Sequence, residues 1–143
     1  MTRAHLRAGI VLIAILTAGT FASTAMAAII NGNDSANKLT GTSGADTINA
    51  FGGSDKVSGG GGGDTIDGGA GTDLLKGEGG ADTITGGAGY DSIDGGDGND
   101  TINSHNDGSG DFVECGDGND IANVDAGDVV DDDCETINII PPV

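Results

Sequence analysis

Gly86-Gly87-Ala88-Gly89-Tyr90-Asp91-Ser92-Ile93-Asp94 runs without a break into Gly95-Gly96-Asp97-Gly98-Asn99-Asp100-Thr101-Ile102-Asn103. Both stretches spell G-G-x-G-x-D-x-U-x, where U is a large aliphatic, and Gly59-Gly60-Gly61-Gly62-Gly63-Asp64-Thr65-Ile66-Asp67 is a third clean copy. Copies begin at Gly32, Gly41, Ala50, Gly59, Gly68, Gly77, Gly86 and Gly95, eight in a row with no insertion. Ser104 and His105 then break the phase, and Asn106 to Glu114 and Cys115 to Asn123 resume it in degraded form. A short fixed period over most of a chain means a stacked array rather than a conventional core.

Place eight of the repeat holds Leu39, Ile48, Val57, Ile66, Leu75, Ile84, Ile93, Ile102, Val113 and Ala122. In a piece x-U-x the centre faces one way and its flanks the other. The flanks are mostly Thr, Ser, Asn, Asp and Lys, so each copy predicts a very short strand with U buried, and the Gly-rich hexad between strands predicts a turn. Two strand-plus-turn units make a coil of 18 residues, the spacing between copies n and n+2. The expected fold is all-β, with two parallel sheets facing each other through the U side chains. A collagen triplet is excluded by place seven and by the presence of only two Pro in the chain. An EF-hand loop starting at Asp97 fails because Ile102 stands where that loop needs Gly.

Place six holds Asp46, Asp55, Asp64, Asp73, Asp82, Asp91, Asp100, Asp111 and Asp120, with Asn37 in the first copy. Stacking places like charges above one another, which is repulsive unless a cation lies between. Carboxylates and turn carbonyls are hard oxygen ligands in flexible geometry, the set that suits calcium; zinc and copper would want His or Cys, which the repeats lack. One edge stacks Asp46, Asp64, Asp82 and Asp100; the other stacks Asn37, Asp55, Asp73 and Asp91. Pairing along both edges predicts about five to seven calcium ions. The registry of Asp111 and Asp120 past the break is open at this level. Ten aliphatics are a small core for a Gly-rich chain, so folding is expected to require the ions.

These copies resemble the RTX (repeats-in-toxin) haemolysin-type calcium-binding nonapeptide family; Gly59 to Asp67 and Gly77 to Asn103 match it nearly letter for letter. The resemblance spans Gly32 to Asn123. It implies a right-handed parallel β-roll with calcium between the turns, held by the place-six Asp side chains and by turn carbonyls from places such as one and three. Asn37 departs from the pattern, and Ala50-Phe51 replaces the opening Gly pair. Long members are toxins, proteases and lipases, whereas this chain resembles a small exported stand-alone member.

The composition agrees. The chain carries 29 Gly and a formal charge of -18. Arg3, His5 and Arg7, the apolar stretch Ala8 to Ala18, and Ala25-Met26-Ala27 read as a signal peptide over 1–27, with cleavage after Ala27 and a secreted product. Without that segment, three Lys face 23 acids, a charge of 3 - 23 = -20. Nucleic acid and anionic membrane are poor partners for such a body. Residues 28–31 read as a leader, 32–123 as the roll, and 124–143 as an acidic cap and tail. Cys115 and Cys134, an even pair in an exported chain, are expected to form a disulfide that staples the last coil. Asp125, Asp128, Asp131, Asp132 and Asp133 crowd the loop between them, either as a solvated cap or as a further calcium site. Ile137, Ile139 and Ile140 are expected to cover the open end.

No Ser-His-Asp or Cys-His set is present, since the two His are His5 and His105. The expectation is a non-catalytic calcium-binding protein, structural, adhesive or buffering. The alternative is a surface-recognition module for polysaccharide or ice, using the rank Thr47, Thr65, Thr83 and Thr101 and the neighbouring Asn; an enzyme is the remote third.

Overall fold

From Asp64 to Gly68 every second residue is inside: Asp64, Ile66 and Gly68 are buried, while Thr65 and Asp67 are exposed. The alternation of an extended chain therefore runs beyond x-U-x and, from Ala50 to Asn103, carries places six, eight and one to the interior. The computed structural model of the protein describes residues 25–105 and 109–141. Within these, thirteen strands follow one another: β1 (Ile29–Asn33), β2 (Lys38–Thr40), β3 (Thr47–Phe51), β4 (Lys56–Gly61), β5 (Thr65–Ala70), β6 (Leu74–Gly79), β7 (Thr83–Ala88), β8 (Ser92–Asp97), β9 (Thr101–Ser104), β10 (Phe112–Asp117), β11 (Ile121–Val124), β12 (Val129–Val130) and β13 (Thr136–Ile139). Odd strands form one sheet in the order β1-β3-β5-β7-β9-β11-β13, and even strands the other, in the order β2 to β12. Every pairing is parallel. The result is a parallel β-solenoid of about six turns, with about 18 residues per coil.

The core is the place-eight column. Ile48, Ile66, Ile84 and Ile102 stack in one sheet, and Leu39, Val57, Leu75, Ile93 and Val113 in the other. From Ile48 to Val113 these side chains are at most 1% exposed.

Four expectations need revision. The strands reach six residues because places one to three continue the ladder, so only places four to six turn. The leader is not a leader: Ile29, Ile30 and Asn31 pair with Thr47, Ile48 and Asn49, and Ile30 joins the core at 8% exposure. The extra residues lie after Ser104 rather than at it, because Ser104 pairs with Val124 and is buried in the place-one column. Finally, Ile137 sits above Ala122 and Ile139 above Val124, yet they are 46% and 65% exposed. They extend the columns by one rung and leave the end uncovered among the described residues.

Cys115 and Cys134 are bonded, with Cα atoms 5.1 Å apart. This removes both sulfurs as metal ligands, although the Asp133 carboxylate lies beside them. Most of the proposed signal segment, residues 1–24, lies outside the described residues, as do 106–108 and 142–143.

Candidate metal centre

The place-six Asp side chains are 0–4% exposed from Asp46 to Asp120, though each stands at the end of a turn, one residue before its strand. They are buried because place six shares the inward phase of place eight. Each carboxylate is anchored by the coil before it. The N–H of Asp46 donates to Oδ1 of Asp64 at 2.7 Å, that of Asp64 to Asp82 at 2.6 Å, and that of Asp82 to Asp100 at 2.8 Å. The second edge repeats this from Asn37 to Asp55, Asp73 and Asp91. The break is absorbed without loss of register: Asp91 N–H reaches Asp111 and Asp100 N–H reaches Asp120, each across 20 residues.

Oδ1 is thus spoken for, and Oδ2 is the oxygen left over. In Asp55, Asp64, Asp73, Asp82, Asp100 and Asp120 it is buried with no hydrogen-bond partner. An orphaned buried carboxylate oxygen is expensive. Asp46 differs: Ala28 N–H donates to its Oδ1 at 2.6 Å and Thr42 N–H to its Oδ2 at 2.5 Å, so the first coil closes on itself.

Oδ2 points across its own turn at the place-one glycine. A methyl group on Gly68 would lie 2.9 Å from Asp73 Oδ2 and 2.5 Å from the carbonyl oxygen of Gly86, one coil on. On Gly59 and Gly77 it would meet Asp64 Oδ2 with Gly77 O, and Asp82 Oδ2 with Gly95 O; on Gly95 it would meet Asp100 Oδ2 with Cys115 O. Gly41 with Asp46 repeats the arrangement, and Gly86 faces Asp91 Oδ2. A carboxylate oxygen and, in five of these six cradles, a backbone carbonyl from the next coil converge on a space that any side chain would fill. The place-one column ahead of Asp55, Asp111 and Asp120 carries Ala50, Ser104 and Cys115, so no place-one glycine precedes those three.

The carbonyls of place three are partly engaged. Those of Ala70, Ala88 and Asp97 accept the place-four N–H of Gly53, Gly71 and Gly80 at 2.7–2.9 Å. A carbonyl oxygen has a second lone pair, so this leaves acceptor capacity. At the turns the chain adopts positive φ, as at Gly60 and Gly80 (105° and 127°), while Phe51 and Glu78 take φ 74° with a side chain in place.

Burial pushes the carboxyls of Asp64, Asp73, Asp82, Asp100 and Asp120 above their ordinary range, Asp82 to about 6. The N–H anchored from the preceding coil pulls each back, and like charge adds to the rise: stacked Asp for Asp64, Asp73, Asp82 and Asp100, and Glu135 and Asp133 for Asp120. The carboxylates are buried and stacked on like charge, a setting that favours a hard cation.

Two positions of the ladder escaped sequence reasoning. Asp128 Oδ1 accepts Asp111 N–H at 3.0 Å, and Glu135 Oε2 accepts Asp120 N–H at 2.9 Å. They do the work of place six at separations of 17 and 15 residues, where an 18-residue count finds nothing. Asp133 caps the N–H groups of Cys115 and Gly116 at 3.1 and 2.8 Å. The acidic loop is therefore partly a set of backbone caps, beyond the two roles expected of it.

The family described as RTX calcium-binding nonapeptide repeat (4 copies) matches this chain over residues 31–66, 58–93 and 76–108, more than half its length. No curated protein and no solved structure matches it significantly.

Proposed function

The chain belongs to the RTX calcium-binding nonapeptide repeat family, and from that premise we propose that it is an exported, non-catalytic protein whose roll folds as calcium fills the space between stacked turns. The observation that carries the proposal is the convergence of a buried, unpartnered Asp Oδ2 and a backbone carbonyl on a space kept open by glycine, as at Gly59 and Gly77. The donors are all hard oxygens, and their number per site is flexible, which favours calcium over magnesium.

The place-six residues Asp46, Asp55, Asp64, Asp73, Asp82, Asp91, Asp100, Asp111 and Asp120 supply the carboxylates, with place-one carbonyls completing the sites. The cradles at Asp64, Asp73, Asp82 and Asp100, where an unpartnered Oδ2 and a carbonyl of the next coil meet beside a place-one glycine, are the stronger ones; Asp46 Oδ2 already accepts the Thr42 N–H, so its cradle ranks below them. Bound calcium supplies the positive charge that the stacked carboxylates lack, and this makes folding conditional on it. Residues 1–27 serve as the export signal, and the chain folds outside the cell, where calcium is abundant.

The test is a calcium titration of the chain from Ala28, read by far-UV circular dichroism and by calorimetry. The proposal expects a change from coil to β with several ions bound per chain. A spectrum indifferent to calcium and to chelator would sink it.

A second reading has one observation in its favour. Thr47, Thr65, Thr83 and Thr101 stand in strict register on one sheet, with their outer faces open. A flat, evenly spaced hydroxyl rank is a recognition surface for a repeating polar solid or glycan. Adsorption of the folded roll to polysaccharide or ice, abolished by Thr83→Tyr, would support it.

A further inference from the structure

Each end of the solenoid presents edge strands among the described residues. At the far end β13 is an edge strand with no outer partner among the described residues and with Ile137 and Ile139 exposed, and Val129 of β12, on the edge of the other sheet, is 60% exposed. At the near end β1 and β2 have no partner on their outer sides among the described residues, and Ile29, in register with Thr47 on the outer sheet face, is 73% exposed. Open parallel edges with apolar side chains are templates for another strand.

The place-nine column gives the joint a direction. Asn49 Nδ2 donates to Asn31 Oδ1 at 2.8 Å, Asn123 Nδ2 to Asn103 Oδ1 at 2.8 Å, and Asn138 Nδ2 to Asn123 Oδ1 at 3.0 Å. Each later coil donates to the earlier one. The ladder therefore ends in an open amide donor on Asn31 and an open acceptor on Asn138. Charge runs the same way. Lys38 and Lys56, two of the three Lys, stack at the near end. The last coil carries Asp128, Asp131, Asp132, Asp133 and Glu135.

We propose that the partner at this surface is a second copy of the chain, its β1 and β2 stacked on β13 and β12, so that the coil continues from one molecule into the next. Ile29 then meets Thr136, Ile30 meets Ile137, and Asn31 donates to Asn138, in the register that β11 and β13 already keep. The contact is head to tail and does not close on itself, so the product is an open filament.

The test is sedimentation velocity and negative-stain microscopy of the calcium-loaded chain over a wide concentration range. Rods that lengthen by whole molecules are expected. Ile139→Lys, at an exposed position, weakens association about tenfold or more, whereas Thr83→Lys on the sheet face leaves it unchanged. The pair Ile29→Cys and Thr136→Cys gives intermolecular disulfides on oxidation, because stacked strands lie about 4.8 Å apart. Single molecules at every concentration, or sensitivity to Thr83→Lys and not to Ile139→Lys, would overturn the joint. The calcium response in circular dichroism is read separately on the same samples: a folded roll that stays single ends this inference alone, whereas a chain with no calcium response ends the functional reading beneath it.

Discussion

The N–H of Asp64 donates to Oδ1 of Asp82, one coil on, at 2.6 Å. This bond sets the function of the column. It points one carboxylate oxygen back along the roll to hold the stack together and leaves the other, Oδ2, facing the space beside Gly77. One side chain thus stitches two coils and faces a candidate ion site, so under the proposed function coil stacking and ion binding are coupled through the same group.

Gly77→Ala tests that space. Gly77 has no positive φ, so the backbone accepts alanine, but the added methyl meets Asp82 Oδ2 and the Gly95 carbonyl. Calorimetry is expected to show one ion fewer, and thermal unfolding in calcium a loss of about 1–3 kcal/mol. The converse change, Ala50→Gly, opens the cradle beside Asp55 and is expected to tighten binding on that edge.

Acid is expected to stabilise the calcium-free roll. Burial raises the folded-state pKa of several Asp above the ordinary 3.8, Asp82 to about 6. Between those values the folded chain binds more protons than the unfolded one, so stability rises as pH falls and is lost as pH climbs through about 6. In chelator, the β signal should therefore grow between pH 7 and pH 4. In calcium the protons compete, and the calcium midpoint should move to higher concentration over the same range. An apo spectrum flat across this window contradicts the assignment.

Reducing Cys115–Cys134 releases a loop with a sequence separation of 19. The cost in the chain-entropy model is about 3 kcal/mol. Because the bond ties β10 to the turn before β13, hydrogen exchange should quicken in β11 to β13 first and leave β4 to β7 protected. Uniform loosening along the roll would mean the staple acts on the whole stack.

Phe51→Gly is expected to stabilise the protein by about 1 kcal/mol. Phe51 holds φ 74° with its ring 53% exposed, so the strain is offset by little burial. Chemical denaturation in saturating calcium measures it. Glu78→Gly relieves the same strain but also removes the acceptor of the Ser58 hydroxyl, so its gain should be smaller.

The nonapeptide made most of this legible. A strict period puts Asp64, Ile66 and their equivalents at the same angle in every coil, so core, sheets, coil length and acidic columns follow from counting. Counting failed where the period did. Ile29 and Ile30 form a strand without a preceding Gly turn, and Asp111 keeps its register although the step to it from Asp91 is 20 residues. Asp128 and Glu135 enter the ladder at spacings that no repeat predicts.

The repeating unit is written in the chain: which residues face in, which face out, and which carboxylates share an edge, because a local alternation of extended chain needs no knowledge of what lies above it. The tertiary structure alone decided which oxygen of each Asp is free, which turns have room beside it, and what the two ends expose. Those depend on contacts between coils, where a carbonyl from Gly95 and a carboxylate from Asp82 meet across 13 residues of chain, and no local pattern records the distance between them.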